Sequence, residues 1–155
     1  MKLHALVFLG AVVVAGCGGA TRYTDSGEKN LIIRTETSAG SAFSSVKAVI
    51  GVHAVDAQCQ LTYEGYVELD RPLVQVGIPP GRLSYLVFEF ASSSFLGGTR
   101  GSISQETLLR PRPGATYEVR VTYQNELYEV AIRETPPRGG RPRDIELVGL
   151  GACKR

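Results

Sequence analysis

Turns rich in glycine and proline divide residues 31–155 into short segments, and this spacing limits the fold more than any other feature of the chain. Within the segments, apolar and polar residues alternate as they do along a half-buried β-strand. No segment carries a 3.6-residue apolar period for longer than about two turns, so no long helix is predicted. About eight or nine strand segments predict an all-β fold: a single antiparallel β-sandwich, with a small β-barrel as the alternative.

Two segments carry more specific information about packing. From Val46 to Asp56 one face is apolar throughout and is predicted to face the core. Its residues are Val46, Ala48, Ile50, Val52 and Ala54. From Cys59 to Leu69 the alternation changes phase at Glu64 and Gly65. Because an extra residue in one strand reverses which side chains face inward, a β-bulge is predicted at Gly65.

The N-terminus has a basic start at Lys2, followed by an apolar run from Ala5 to Ala15. A run of about 11 residues has the length of a signal-peptide core and is well short of the roughly 20 that a membrane-spanning helix needs. The segment is therefore predicted to be a secretory signal that is removed from the mature protein.

The apolar run ends in Val14-Ala15-Gly16-Cys17, which resembles the lipobox of bacterial lipoproteins. The resemblance implies that the Cys17 thiol is diacylated, that the bond before it is cut, and that the new amine is acylated. Gly18 rather than Asp after the cysteine implies the outer membrane, with the domain facing the periplasm. The alternative is an ordinary secretory signal with Cys17 as a bystander. The predicted organisation is a signal peptide (1–16), a lipidated cysteine with a flexible tether (17–30), and a β-sandwich domain (31–155).

Cys59 and Cys153 remain if Cys17 carries lipid. An even pair in an oxidising compartment predicts a disulfide, and the alternatives are two free thiols or a cysteine-based site. No zinc-type cysteine spacing occurs, and His53 is the one histidine outside the signal segment. The sequence therefore predicts no metal site and no cofactor.

The stretch from Leu109 to Val121, with a Pro-Gly turn before Tyr117, resembles the corner before strand F in fibronectin-III and immunoglobulin-like sandwiches. The resemblance implies a tyrosine corner, in which the Tyr117 hydroxyl bonds to the loop backbone while its ring joins the core. Ile78-Pro79-Pro80-Gly81 resembles the Pro-Gly hairpins of transthyretin-like and PEGA-like periplasmic domains. These likenesses support a sandwich and imply no active site.

The strongest polar cluster lies in two Arg-Pro turns, Arg110/Arg112 and Arg138/Arg141/Arg143. These side chains are predicted to contact an anionic partner, and the alternative is two solvated loops. Phe95 and Leu96, on a Ser/Gly-rich loop, are predicted either to contact a partner or to cover one end of the sandwich. His53 is interpreted as a strand residue on a half-exposed face rather than a catalytic base.

Taken together, the sequence favours a non-enzymatic binding or assembly module of the bacterial envelope. Its expected partners are the membrane, through the lipid on Cys17, and an envelope protein; nucleic acid is not expected, since 17 basic residues nearly balance 15 acidic ones. Transthyretin-like lipoproteins can serve as accessory subunits of envelope machines, and this resemblance implies the same role here. The alternatives are an inhibitor or immunity protein against a cell-wall-degrading enzyme, and an envelope hydrolase.

Overall fold

The computed structural model of the chain describes residues 21–25, 27–37, 44–94, 100–124 and 127–154. These ranges contain nine strands and two short 3-10 turns, at Pro137–Gly139 and Leu150–Lys154. The strands are β1 (Leu31–Thr37), β2 (Ser44–Val55), β3 (Leu61–Glu68), β4 (Leu73–Val76), β5 (Ser84–Ser94), β6 (Arg100–Leu109), β7 (Thr116–Gln124), β8 (Leu127–Thr135) and β9 (Arg143–Ile145). Within the described ranges, no helix is long and apolar enough to cross a membrane.

The strands form two sheets, one in the order β4-β1-β7-β8-β9 and the other in the order β3-β2-β5-β6. The predicted all-β sandwich is therefore confirmed, and the barrel alternative is wrong because the two sheets do not join into a closed barrel. Neighbouring strands are antiparallel with one exception. β1 and β7 run parallel, from the Leu31–Tyr117 pair to the Thr37–Tyr123 pair.

The core lies between the two sheets and consists of the inward faces of their strands. Ala48, Ile50 and Val52 on β2 are 7%, 1% and 1% exposed, which confirms the core face predicted for this segment. Opposite them on β5, Phe88 and Phe90 are fully buried. Each large apolar side chain removed from water in this way contributes about 1.5–3 kcal/mol before the entropy of ordering it is counted.

The bulge predicted at Gly65 is confirmed by the register between β2 and β3. Val52 pairs with Gly65 and His53 pairs with Tyr63, so Glu64 is the extra residue. Gly65 has a φ of 136°, a backbone conformation that residues other than glycine rarely adopt. The bulge restores the inward orientation of Val67, which packs on the core.

Residues 21–25 and 27–30, assigned from the sequence to the tether, lie on the sandwich. The free edge of β3 pairs in parallel with the chain at Arg22, through Tyr23 N–H to Tyr66 O (2.8 Å) and Tyr66 N–H to Thr21 O (2.9 Å). The buried Asn30 side chain bonds both the carbonyl (2.8 Å) and the amide (2.9 Å) of Ile78. Covering a strand edge satisfies its backbone groups, which explains why polar, glycine-containing sequence is ordered here.

Gly65→Ala is expected to lower the free energy of unfolding by about 2–4 kcal/mol, because a methyl group would meet the Tyr23 backbone nitrogen at 2.6 Å and would be held at a strained φ. The matched control is Gly81→Ala, which has a φ of 77° but open space around the added methyl, and should lose only about 1 kcal/mol. Urea unfolding measures both. Trypsin cleavage after Arg22 should accelerate in the Gly65 variant alone; equal losses in the two variants would rule out the close approach as the cause.

Candidate functional site

Three loops meet at one end of the sandwich: residues 77–83 between β4 and β5, 110–115 between β6 and β7, and 136–142 between β8 and β9. They contain five arginines and no acidic residue: Arg82, Arg110, Arg112, Arg138 and Arg141. Arg143 follows as the first residue of β9. We call this surface, the three loops with Arg143, the arginine end.

Direct contacts join the three loops into one surface. The Gly81 amide donates to Pro111 O (2.7 Å), and Arg110 Nη1 donates to Gly81 O (3.3 Å). Gly114 lies against Pro137, whose Cβ would be 3.4 Å from a methyl group placed on the glycine. The loops also hold seven of the chain's eight prolines: Pro79, Pro80, Pro111, Pro113, Pro136, Pro137 and Pro142. Because proline fixes φ, the arginines are presented on backbone with little freedom to rearrange.

A buried carboxylate, Glu134 at the end of β8, organises the centre of the arginine end. Its side chain is 1% exposed and accepts hydrogen bonds from Arg112 Nε, from Arg143 Nε (2.6 Å) and from the Tyr117 hydroxyl (3.0 Å). Burial by itself raises the pKa of Glu134, but the three donors outweigh it, so the pKa lies below its ordinary value. Glu134 is therefore ionised at neutral pH and holds the 110–115 loop and the start of β9 through charge-assisted bonds.

The predicted tyrosine corner is confirmed at the same place. The Arg112 amide donates to the Tyr117 hydroxyl (2.9 Å), and the ring of Tyr117 is 2% exposed. Burial raises the pKa of Tyr117 above its ordinary value, although the amide donor opposes this shift. The hydroxyl therefore stays protonated and donates a hydrogen bond to Glu134.

Tyr117→Phe is expected to lower the free energy of unfolding by about 1–2 kcal/mol, since it removes both the acceptor of the Arg112 amide and one donor to Glu134 while leaving the ring in the core. Tyr63→Phe serves as the control because Tyr63 is 48% exposed, and it should change stability by less than about 0.5 kcal/mol. Chemical unfolding of the two variants tests the difference. Equal stabilities would mean that the corner hydrogen bonds contribute nothing.

The five arginines predicted to contact a partner fall into three groups. Arg112 and Arg143 are held by Glu134, and Arg110 bonds to the Gly81 carbonyl. Arg138 and Arg141 are exposed and, within the part of the chain that the structure describes, form no hydrogen bond or ion pair. Arg138 and Arg141 can thus offer all of their N–H donors to a ligand. Arg110, Arg112 and Arg143 can offer only the N–H donors that their internal hydrogen bond does not use.

Two residues, Glu134 beneath the arginine end and Arg82 within it, were not identified from the sequence. Glu134 continues the inward alternation of Val130 and Ile132 on β8, so the pattern itself places a carboxylate in the core. Because a buried carboxylate needs cationic partners, the sequence could have predicted that Glu134 binds nearby arginines. Arg82 pairs with Glu64 of the bulge. The sequence did not indicate this pairing, because the loop that contains Arg82 has no other charged residue.

The predicted disulfide between Cys59 and Cys153 is present, with the two Cα atoms 6.0 Å apart. It ties the C-terminal 3-10 turn to the loop between β2 and β3. Two residues of that turn, Leu150 and Cys153, pack on a second apolar cluster on the outer face of the four-stranded sheet. The Leu108 amide donates to Val148 O (2.8 Å), so the same C-terminal segment covers the edge of β6.

His53 lies on the outer face of the four-stranded sheet, with its ring 5.2 Å from that of Tyr63 and 5.9 Å from that of Tyr85. The Tyr85 hydroxyl donates to Glu106, and burial together with this carboxylate raises the pKa of Tyr85 to about 12. Among the described residues, no group of three or more His, Cys, Asp and Glu side chains is placed to hold a metal ion.

Cys17, Phe95 and Leu96 lie outside the described residues, so acylation and the predicted partner loop stay predictions. β5 ends at Ser94 and β6 begins at Arg100, at the end of the sandwich opposite the arginines. No family model matches the chain, and no curated protein or solved structure matches it.

Proposed function

We propose that the protein is a lipid-anchored, non-enzymatic binding or assembly module of the bacterial envelope, acylated at Cys17, that contacts an anionic partner through the arginine end. The observation that carries the proposal is the grouping of five arginines on three contacting loops without an acidic residue. The chain as a whole has a formal charge of only +2, so this surface is a local feature and not the result of a generally basic protein.

The chemistry of arginine defines the kind of partner. A guanidinium presents planar pairs of N–H donors that match the two oxygens of a carboxylate or phosphate, and it stays charged at every physiological pH. Because the prolines and the Glu134 network already hold the loops, binding does not have to order the backbone. Arg138 and Arg141, which are exposed and have no internal partner among the described residues, are the expected first contacts.

Two measurements test the anchor and the partner separately. Mass spectrometry of the mature protein from bacterial membranes should show acyl chains on Cys17, and Cys17→Ala should abolish them. Crosslinking in native membranes followed by purification of the intact lipoprotein should then capture a reproducible envelope protein that the Cys17→Ala chain does not capture. Capture of one soluble cell-wall-degrading enzyme by both forms would contradict the assembly role and favour an inhibitor.

A paired set of variants tests the arginines within the same experiment. Arg138→Gln with Arg141→Gln should reduce capture, because these two side chains have no competing internal bond. Arg71→Gln with Arg120→Gln removes the same charge from exposed sites outside the arginine end and should leave capture unchanged. Equal effects of the two pairs would show that net charge, and not this surface, governs the contact.

A further inference from the structure

The direction of the chain at Thr21 bears on how the domain is oriented. Thr21–Tyr23 pairs in parallel with β3, whose first residue is Leu61. The N-terminal side of Thr21 therefore points toward the end of the sandwich where β3 begins. The loop preceding β3 lies at that end together with the three loops of the arginine end, because consecutive strands run in opposite directions between the two ends.

Covalent geometry adds a distance limit. Three residues, Gly18, Gly19 and Ala20, separate Cys17 from Thr21. At about 3.3–3.6 Å per residue, the chain from Cys17 to Thr21 spans at most about 14 Å. From Tyr66, which pairs with this segment, to Leu61 at the start of β3 the distance is about 17 Å at roughly 3.4 Å per residue. The chain from Cys17 to Thr21 is thus shorter than the distance from Tyr66 to the start of β3. If Cys17 is anchored in the bilayer, this chain is too short to hold the domain away from it.

We infer that the arginine end faces the membrane that holds the acyl chains, and that the phosphates of anionic lipid headgroups in that membrane are its ligand. The inference rests on the proposed acylation of Cys17 and names the anionic partner of the same surface. A tether of this length, joined to a segment whose N-terminal side points toward the arginine end, would bring the guanidinium groups to headgroup depth. Arginine near an anionic leaflet then gains electrostatic attraction and bidentate phosphate contacts.

None of the described acidic groups near this end, including the exposed Asp144 next to Arg143, forms an ion pair with Arg138 or Arg141. Glu134 is buried beneath Arg112 and Arg143. Glu64 pairs with Arg82, and Asp56 accepts from the backbone amides of its own loop at 2.9 and 2.8 Å. Asp25 pairs with Lys29, which leaves Glu28 as the exposed carboxylate near the start of β1. Arg138 and Arg141 therefore face solvent without a neighbouring carboxylate bound to them.

This orientation assigns different roles to the two ends of the sandwich. The end opposite the arginines, where β1 ends at Thr37 and β5 ends at Ser94, points away from the membrane. An envelope protein that binds the anchored domain would reach this end and the outer sheet faces, because the lipid surface would cover the arginine end. Its capture would then depend on Arg138 and Arg141 through the orientation that these residues give the domain. The predicted partner residues Phe95 and Leu96 follow Ser94 directly in the chain.

Vesicle binding by the unacylated chain tests the inference. Every described element lies within residues 21–154, so a chain that begins at residue 18 keeps the complete core and both cysteines of the disulfide. This chain should bind vesicles of phosphatidylethanolamine with phosphatidylglycerol and should not bind vesicles of phosphatidylcholine. Arg138→Gln with Arg141→Gln should lower the partition coefficient about 30-fold, as expected for two arginines at an anionic surface.

The control pair, Arg71→Gln with Arg120→Gln, should change the partition coefficient less than about threefold, because these side chains would lie beyond a Debye length from the bilayer. The inference is overturned if the chain ignores phosphatidylglycerol, or if both pairs of substitutions weaken binding equally. If vesicle binding fails but an envelope protein is still captured in native membranes, the proposed function stands and only this inference is wrong. Unacylated Cys17 in the mature protein would refute the proposed anchor, even if the arginines bind vesicles.

Discussion

Replacing both Cys59 and Cys153 by serine is expected to lower the free energy of unfolding by about 3–5 kcal/mol, a large part of the total stability of a domain of this size. The two cysteines are 94 residues apart, so the disulfide removes much of the conformational freedom of the unfolded chain. Urea unfolding of the oxidised protein and of the double serine variant measures the difference. A loss below about 1 kcal/mol would contradict this account.

The same substitution should also loosen the C-terminal segment locally. Leu150 and Cys153 cover Tyr85 and Leu108, and without the crosslink this cover is held by partly buried contacts alone. Hydrogen exchange of the Leu108 amide, which donates to Val148 O, should therefore speed up more than exchange in the main core. Leu150→Ala is the control, since it removes packing and keeps the disulfide, and it should cost about 1–2 kcal/mol.

Features encoded by neighbouring residues could be predicted from the sequence. The bulge at Gly65 follows from a change of phase within one strand. The tyrosine corner was implied by the resemblance of the stretch around the Pro-Gly turn and Tyr117 to fibronectin-III and immunoglobulin-like sandwiches. The disulfide was predicted from the even pair of cysteines that remains when Cys17 is assigned to the lipid. In each case a short sequence pattern or the number of cysteines was sufficient, because few other arrangements of the chain are compatible with that pattern or number.

Features that depend on distant pairing could not be predicted. The parallel pairing of β1 with β7 joins segments that no turn connects, and alternation within each strand is the same for parallel and antiparallel neighbours. The docking of Thr21–Tyr23 on β3 depends on a free strand edge, which polar sequence does not reveal. The arginines were visible as residues, but which of them are bound internally depends on the buried position of Glu134.

Glu134→Gln is the substitution that tests the organisation of the arginine end, and it is expected to lower the free energy of unfolding by about 2–4 kcal/mol at pH 7. It removes the negative charge and replaces one carboxylate oxygen by an amide nitrogen, which cannot accept a hydrogen bond. One of two charge-assisted bonds, each worth about 1.5–3 kcal/mol, is therefore lost and the other is weakened. Water offsets part of the loss, because the side chains of Arg112 and Arg143 are 48% and 59% exposed. Glu118→Gln is the matched control, since Glu118 pairs with Arg34 in solvent and should cost less than about 1 kcal/mol.

The effect of Glu134→Gln should also depend on pH in a defined direction. The pKa of Glu134 is lowered in the folded protein from an ordinary value of 4.5, so the unfolded chain takes up a proton at higher pH than the folded one. The stabilisation by ionised Glu134 is therefore complete above about pH 5 and disappears as the pH falls through the lowered folded pKa. The stability difference between wild type and Glu134→Gln should stay constant from pH 7 to about pH 5 and shrink as the pH falls from there to pH 3. A difference that stays constant over this range would mean that packing, and not the charge of Glu134, holds the loops of the arginine end together.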